Sequence, residues 1–156
     1  MSFVDINFDE AVEPSPLAKG RYPTQISGAQ VKQTGLNSKH PGRDQIVVNI
    51  GFTGPSKEEQ NAPVMSHYIS LPHPDDEGKT NNFKALQLKR FLTVYDIPFE
   101  SNGIDLEQIC FEMIGKTADV EVELSEPDDK GNVYNRLKLP RIQENVVAGG
   151  RYSPPG

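Results

Sequence analysis

The sequence predicts a mainly β domain with one or two short helices, its five strands curling into a small barrel in the order β-β-β-α-β-β. Three observations predict it. Three strand-like runs precede a helical stretch, a strand hairpin follows that stretch, and Gly and Pro together make 26 of the 156 residues. Such punctuation suits short strands joined by many turns better than a helical bundle. A chain of this length supports one compact domain with a modest core.

The elements follow in order. Residues 1–17 form an acidic tail ending in Glu13-Pro14-Ser15-Pro16, where two prolines bar a helix and favour an extended linker. The domain spans 18–142. Its first strand runs from Arg21 to Val31, with Tyr22, Ile26, Ala29 and Val31 as apolar positions and a slip in alternation at Ser27-Gly28. A glycine at such a slip marks a bulge, the bend that a barrel needs in its first strand. After the polar loop Lys32 to Arg43, the run Asp44 to Phe52 alternates cleanly, placing Ile46, Val48, Ile50 and Phe52 on one face. A turn-rich connection over 54–62 leads to a third strand, Val64 to Leu71, with Met65, His67, Ile69 and Leu71 inward and Val64, Ser66, Tyr68 and Ser70 outward.

Asn81 or Asn82 caps a helix over Phe83 to Tyr95, with Phe83, Leu86, Leu88, Phe91, Leu92 and Tyr95 on its apolar side. A second short helix, capped by Asp105 and ended by Gly115, covers 105–113. The closing hairpin pairs Thr117 to Leu124, with Ala118, Val120, Val122 and Leu124 inward, against Val133 to Leu139 across the Pro127-to-Gly131 turn. Residues 143–156 read as a flexible tail. This segment order is that of the oligonucleotide/oligosaccharide-binding (OB) barrel, which binds through a strand face and the adjoining loops.

Charge is segregated along the chain. The total is −6, which disfavours indiscriminate polyanion binding. Residues 1–13 nevertheless hold Asp5, Asp9, Glu10 and Glu13 with no base, whereas 19–43 hold Lys19, Arg21, Lys32, Lys39 and Arg43 with no acid. Lone Cys110 rules out an internal disulfide and a cysteine-based zinc site. The opening MSFVDINFDEAVE lacks a basic start and an apolar run, so neither a signal peptide nor a membrane span is expected. The expected location is the cytoplasm, that of the host cell if the protein is viral.

The basic loop between strands one and two borders the binding face of such a barrel, so Arg21, Lys32, Lys39 and Arg43 are candidates for phosphate contacts, with His40 adding charge at lower pH. Bases need flat surfaces on which to stack. There is no Trp, so Tyr68, Tyr134 and, behind them, Tyr22 are the candidates. Arg136 and Lys138 flank Tyr134 on the last strand. If the hairpin sets Glu123 against Arg136 and Glu121 against Lys138, those two cations serve cross-strand ion pairs instead.

One string suggests a different chemistry. His73-Pro74-Asp75-Asp76-Glu77 resembles the metal-binding motif of the N-acetylglucosaminyl deacetylase (LmbE-like) family, in which the histidine and second aspartate hold zinc and the first aspartate acts as base. No histidine follows His73 to complete such a site, and no βαβ alternation follows the motif. A solvated acidic loop is the simpler expectation, and pairing His67 with His73 still leaves a metal without a third ligand. No nucleophile elbow, phosphate-binding glycine loop or dinucleotide fingerprint is present. No catalysis, metal or cofactor is expected.

The acidic aromatic leader (FVDINFDEAVEP), Gly20-Arg21-Tyr22-Pro23, the Lys32-to-Thr34 turn, Ile114-Gly115-Lys116 and Gly131…Asn135-Arg136-Leu137 together resemble a family of small bacteriophage proteins, over about residues 3–142. Members are encoded among replication and recombination genes and regarded as single-stranded-DNA-binding proteins with an OB barrel. The resemblance implies single-stranded DNA as ligand, and replication or recombination proteins as partners. Better-known single-strand binders carry an acidic C-terminal tail that recruits partners. Here the chain closes with Arg151-Tyr152-Ser153-Pro154-Pro155-Gly156, so that role falls to the acidic leader. The alternative is a non-catalytic protein-interaction or virion-associated β-barrel module.

Overall fold

In the computed structural model, which describes residues 2–142, the first strand organises the rest. β1 (Gly20–Gln33) pairs antiparallel with β4 (Thr117–Leu124) through Gly20 to Gln25, and with β2 (Asp44–Phe52) through Thr24 to Gln33. The β1–β2 register shifts between Ile26 and Gly28. The extra residue, Ser27, makes the bulge that the slip in alternation predicts, and the bend lets one strand serve both halves of the sheet. β3 (Met65–Ser70) pairs with β2, and β5 (Asn135–Lys138) with β4, giving the order β3-β2-β1-β4-β5. Contact between the outer strands β3 and β5 leaves a nearly closed five-stranded barrel of the OB type. The expected tail over 143–156 lies outside the described residues.

Three helices accompany the barrel. α1 (Lys57–Asn61) occupies a connection expected to hold only turns. Its cap is Ser56, whose Oγ accepts from the Glu59 N–H at 3.0 Å and donates to Glu59 Oε1 at 2.7 Å. α2 (Gly78–Val94) begins five residues ahead of the expected Phe83. Asn81 therefore lies inside the helix and does not cap it. Its side chain reaches back to accept from the His73 N–H at 2.9 Å and donate to the His73 carbonyl at 2.8 Å. α3 (Leu106–Met113) is capped by Asp105, which accepts from the Gln108 N–H at 2.9 Å. Gly115 then takes φ +91°, a conformation that L side chains rarely adopt, and donates to the Ile26 carbonyl at 2.8 Å. The Ile26 N–H in turn donates to Lys116 at 2.9 Å, so the α3–β4 junction is joined to β1 at its bulge.

The core holds Ile26, Ile46, Val48, Ile50, Met65 and Ile69 from one half of the barrel and Val120 and Val122 from the other. Phe91 and Leu92 of α2, Tyr95 at its C-cap, and Ile109 and Met113 of α3 complete the same cluster. Thr24 is buried among them and stays satisfied, donating to the Ala118 carbonyl at 2.8 Å while its Oγ1 lies 2.7 Å from the Tyr95 hydroxyl. His67 stacks on Phe91 with ring centroids 5.4 Å apart, and burial lowers its pKa to about 4.

Two side chains expected inward are not. Leu124, the last residue of β4, is 47% exposed although its cross-strand partner Asn135 is buried. Phe83 is 59% exposed, because the buried stripe of α2 consists of Leu88, Phe91, Leu92 and Tyr95. At 100° per residue Phe83 lies roughly 130° around the helix from that stripe. The last residue of the leader, by contrast, is fixed. Leu17 is buried, its N–H donates to Asn135 Oδ1 at 2.8 Å, and its carbonyl accepts from Asn135 Nδ2 at 2.8 Å.

Candidate nucleic-acid interface

The outer face of β3 is set by strand parity. With Met65 and Ile69 buried, Ser66, Tyr68 and Ser70 must point outward. Register places Tyr68 beside Val47 and Gln30 in one cross-strand row, and Ser70 beside Gln45 and Lys32 in the next. Tyr68 is 61% exposed.

Where β3 meets β5 the surface forms a cleft of about 610 Å³. Tyr68 lines it from β3, Tyr134 and Arg136 from the final hairpin, and Val64, Pro63 and Pro16 from the connections. Arg136 is the one charged residue in that lining, and no carboxylate joins it. The Tyr134 ring is held in place. Its hydroxyl donates to Asp128 Oδ2 at 3.0 Å, and its backbone is tied to Ser125 on both sides. Asp128 is a turn anchor that also accepts from the Asn132 and Lys130 N–H groups at 2.9 Å, and these bonds, Asn132 first, hold its carboxyl below the usual range. The hydrogen bond to that carboxylate raises the Tyr134 pKa. A pre-positioned aromatic beside an exposed one and a guanidinium can stack planar rings and meet an anion.

The β1–β2 loop is a folded turn with Thr34 at its hub. Thr34 N–H donates to the Arg43 carbonyl at 2.8 Å, its Oγ1 accepts from the Arg43 N–H at 3.0 Å and bonds the His40 carbonyl, and its own carbonyl accepts from Gly42 at 3.0 Å. Gly42 turns the chain at φ +77°. A second cleft of about 170 Å³ lies under this loop, lined by Lys39, His40, Arg43 and Lys84 among others, with Asp44 as its carboxylate.

Arg43 is not a free cation there. Asp76, whose side chain is 7% exposed, accepts from Arg43 at 2.6 Å and from Lys84 at 2.6 Å. The hydrogen bonds from Lys84 and then Arg43 lower the Asp76 pKa to about 2. The sequence string that resembles a zinc motif thus supplies a tie between the β1–β2 loop and α2. Its histidine is also occupied, since His73 Nδ1 accepts from the Asp75 N–H at 3.0 Å. Among the described residues no group of three or more His, Cys, Asp or Glu side chains converges as a metal site.

The eight candidates therefore separate into groups. Tyr68, Tyr134 and Arg136 share the β3–β5 cleft, Lys39 and Arg43 share the loop cleft, and Lys32 stands on the outer face at the loop's base. Arg21 and Lys138 lie apart, in a cleft with Asp119 and Glu121, and register sets Glu121 directly between them. Arg136 faces Glu123 as the hairpin register requires and pairs with it at 3.2 Å, exposed enough that the bond is weak and exchangeable. Tyr22 is occupied elsewhere, edge-on to Phe52 with its hydroxyl donated to the Ala18 carbonyl at 2.7 Å.

No family model matches the chain, and no curated protein matches it. Among the described residues no helix is long and apolar enough to cross a membrane.

Proposed function

We propose that this is a non-catalytic, phage-type single-stranded-DNA-binding protein of replication and recombination, working in the host cytoplasm. Bases stack on Tyr68 and Tyr134, and phosphates are met by Arg136, Lys39, Lys32 and Arg43, the last sharing its charge with Asp76. Arg21 and Lys138, balanced by Glu121 and Asp119, contribute less than the sequence suggests. The observation that carries the proposal is the convergence of Tyr68 and Tyr134, 66 positions apart in the chain, on one cleft with Arg136, whose lining includes no carboxylate although Glu123 and Asp128 bond Arg136 and Tyr134 from outside it. That cleft lies between the strand face and the β4–β5 loop, where OB barrels take oligonucleotides.

The leader suits partner recruitment. Phe3, Val4, Ile6, Phe8 and Val12 are exposed and interleaved with Asp5, Asp9 and Glu10, while the segment is tethered at Leu17 beside the cleft. Removing residues 2–12 should leave DNA affinity unchanged or raise it and abolish recruitment of a replication or recombination protein; weakened DNA binding contradicts that role.

The decisive experiment for the proposal is a fluorescence-anisotropy titration of labelled oligothymidylate at two salt concentrations. Binding that weakens steeply as salt rises is expected. Salt-independent binding, or none, favours the interaction-module alternative, which the net charge of −6 would suit.

A further inference from the structure

The β3–β5 cleft does not stop at Tyr68. A further depression of about 160 Å³ also meets that ring, lined by His67, Tyr68, Ile69, Ser70, Phe83, Lys84 and Gln87. Tyr68 belongs to both hollows. Ser70 and Lys84 in turn belong both to this depression and to the cleft under the β1–β2 loop. Three hollows thus join edge to edge along β3, from Arg136 at one end to Lys39 and His40 at the other.

Phe83 stands at the middle of that run. It is the apolar side chain of α2 turned away from the buried stripe, and its 59% exposure matches that of the two tyrosines at 61% and 55%. An aromatic ring more than half exposed, lining the same hollow as a second exposed ring, adds little to the core and offers a stacking surface. Charge along the run is positive on balance. Arg136, Lys84, Lys39 and Arg43 line it against Asp44 alone, and it stays net positive after Asp76 and Glu123 are set against their partners. The occupant that this combination fits is a chain of planar groups on an anionic backbone.

We propose that Phe83 is a third stacking residue and that a single strand runs along β3 across Tyr134, Tyr68 and Phe83 to the loop carrying Lys39. The inference rests on the single-strand-binding proposal and extends it to α2, an element outside the strand face and loops that the fold alone would implicate. Because Phe83 is exposed and outside the core, its replacement leaves the barrel intact.

The test compares Phe83→Ala, Phe83→Tyr, Tyr68→Ala and Phe111→Ala for oligothymidylate affinity by anisotropy, Phe111 being an exposed aromatic of α3 that lines none of these hollows. Phe83→Ala should weaken binding about fivefold or more, the least that loss of one stacked base brings. Phe83→Tyr should restore it and Phe111→Ala should leave it unchanged. If Phe83→Ala binds like the parent while Tyr68→Ala does not, the track ends at Tyr68 and the inference fails with the broader proposal intact. If the parent protein itself ignores the oligonucleotide, both fail.

Discussion

Acidification should loosen the barrel through one side chain, His67. It points inward from β3 onto Phe91, and burial holds its pKa at about 4 against an ordinary 6.5. The unfolded chain therefore takes up a proton at pH values where the folded one does not, so stability present above pH 6.5 is lost as pH falls through 6.5 toward 4. At about 1.4 kcal/mol per pH unit, that displacement is worth about 3 kcal/mol in full, of which about 2 kcal/mol is lost between pH 7 and pH 5. Asp76, held at about 2, remains ionised throughout that interval and adds nothing to the slope. Urea unfolding followed by far-UV circular dichroism measures this directly. With a slope typical of small domains, a loss of about 2 kcal/mol moves the midpoint down by about 1 M. His67→Gln, which cannot take up the proton, should show a midpoint nearly level from pH 7 to pH 5, whatever its absolute stability. A variant midpoint that falls as steeply as the parent's would refute the assignment of the slope to His67.

Other expectations follow from the same geometry. Tyr68→Ala and Tyr134→Ala should each weaken oligothymidylate binding by about 1–3 kcal/mol with unchanged circular dichroism. Lys39→Gln should flatten the dependence of log affinity on log salt by about 0.7, the contribution of one single-strand phosphate contact. Asn135→Leu should destabilise the protein by about 1–3 kcal/mol in urea, because it strands the Leu17 N–H and carbonyl beneath the surface.

Most of the fold was legible in the sequence because its signals are local. The alternation of Ile46, Val48 and Ile50, the slip at Ser27-Gly28 and the cap at Asp105 each act within a few residues. The Ser56…Glu59 spacing that starts α1 is also local, a capping signature hidden inside a stretch otherwise rich in turn residues. Strand parity likewise put Tyr68, Tyr134 and Arg136 on the outside. What was hidden depends on partners distant in the chain. Arg43 reads as a free cation until Asp76, 33 residues on, is seen to hold it, and Leu17 reads as tail until Asn135, 118 residues on, is seen to grip its backbone. The hairpin alone set Glu121 against Lys138, but placing Arg21 beside the same Glu121 needed the β1–β4 register. Phe83 is a different case: its spacing from Leu88 and Leu92 already set it off the buried stripe, but hydrophobicity alone assigned it to the core.

The measurement that bears most directly on the central claim is ultraviolet crosslinking of the intact chain to oligothymidylate, with the modified residues located by mass spectrometry. Crosslinks are expected at Tyr68 and Tyr134, which line the cleft between β3 and β5. Crosslinks gathered instead around Arg21 and Lys138, or none at low salt, would contradict it.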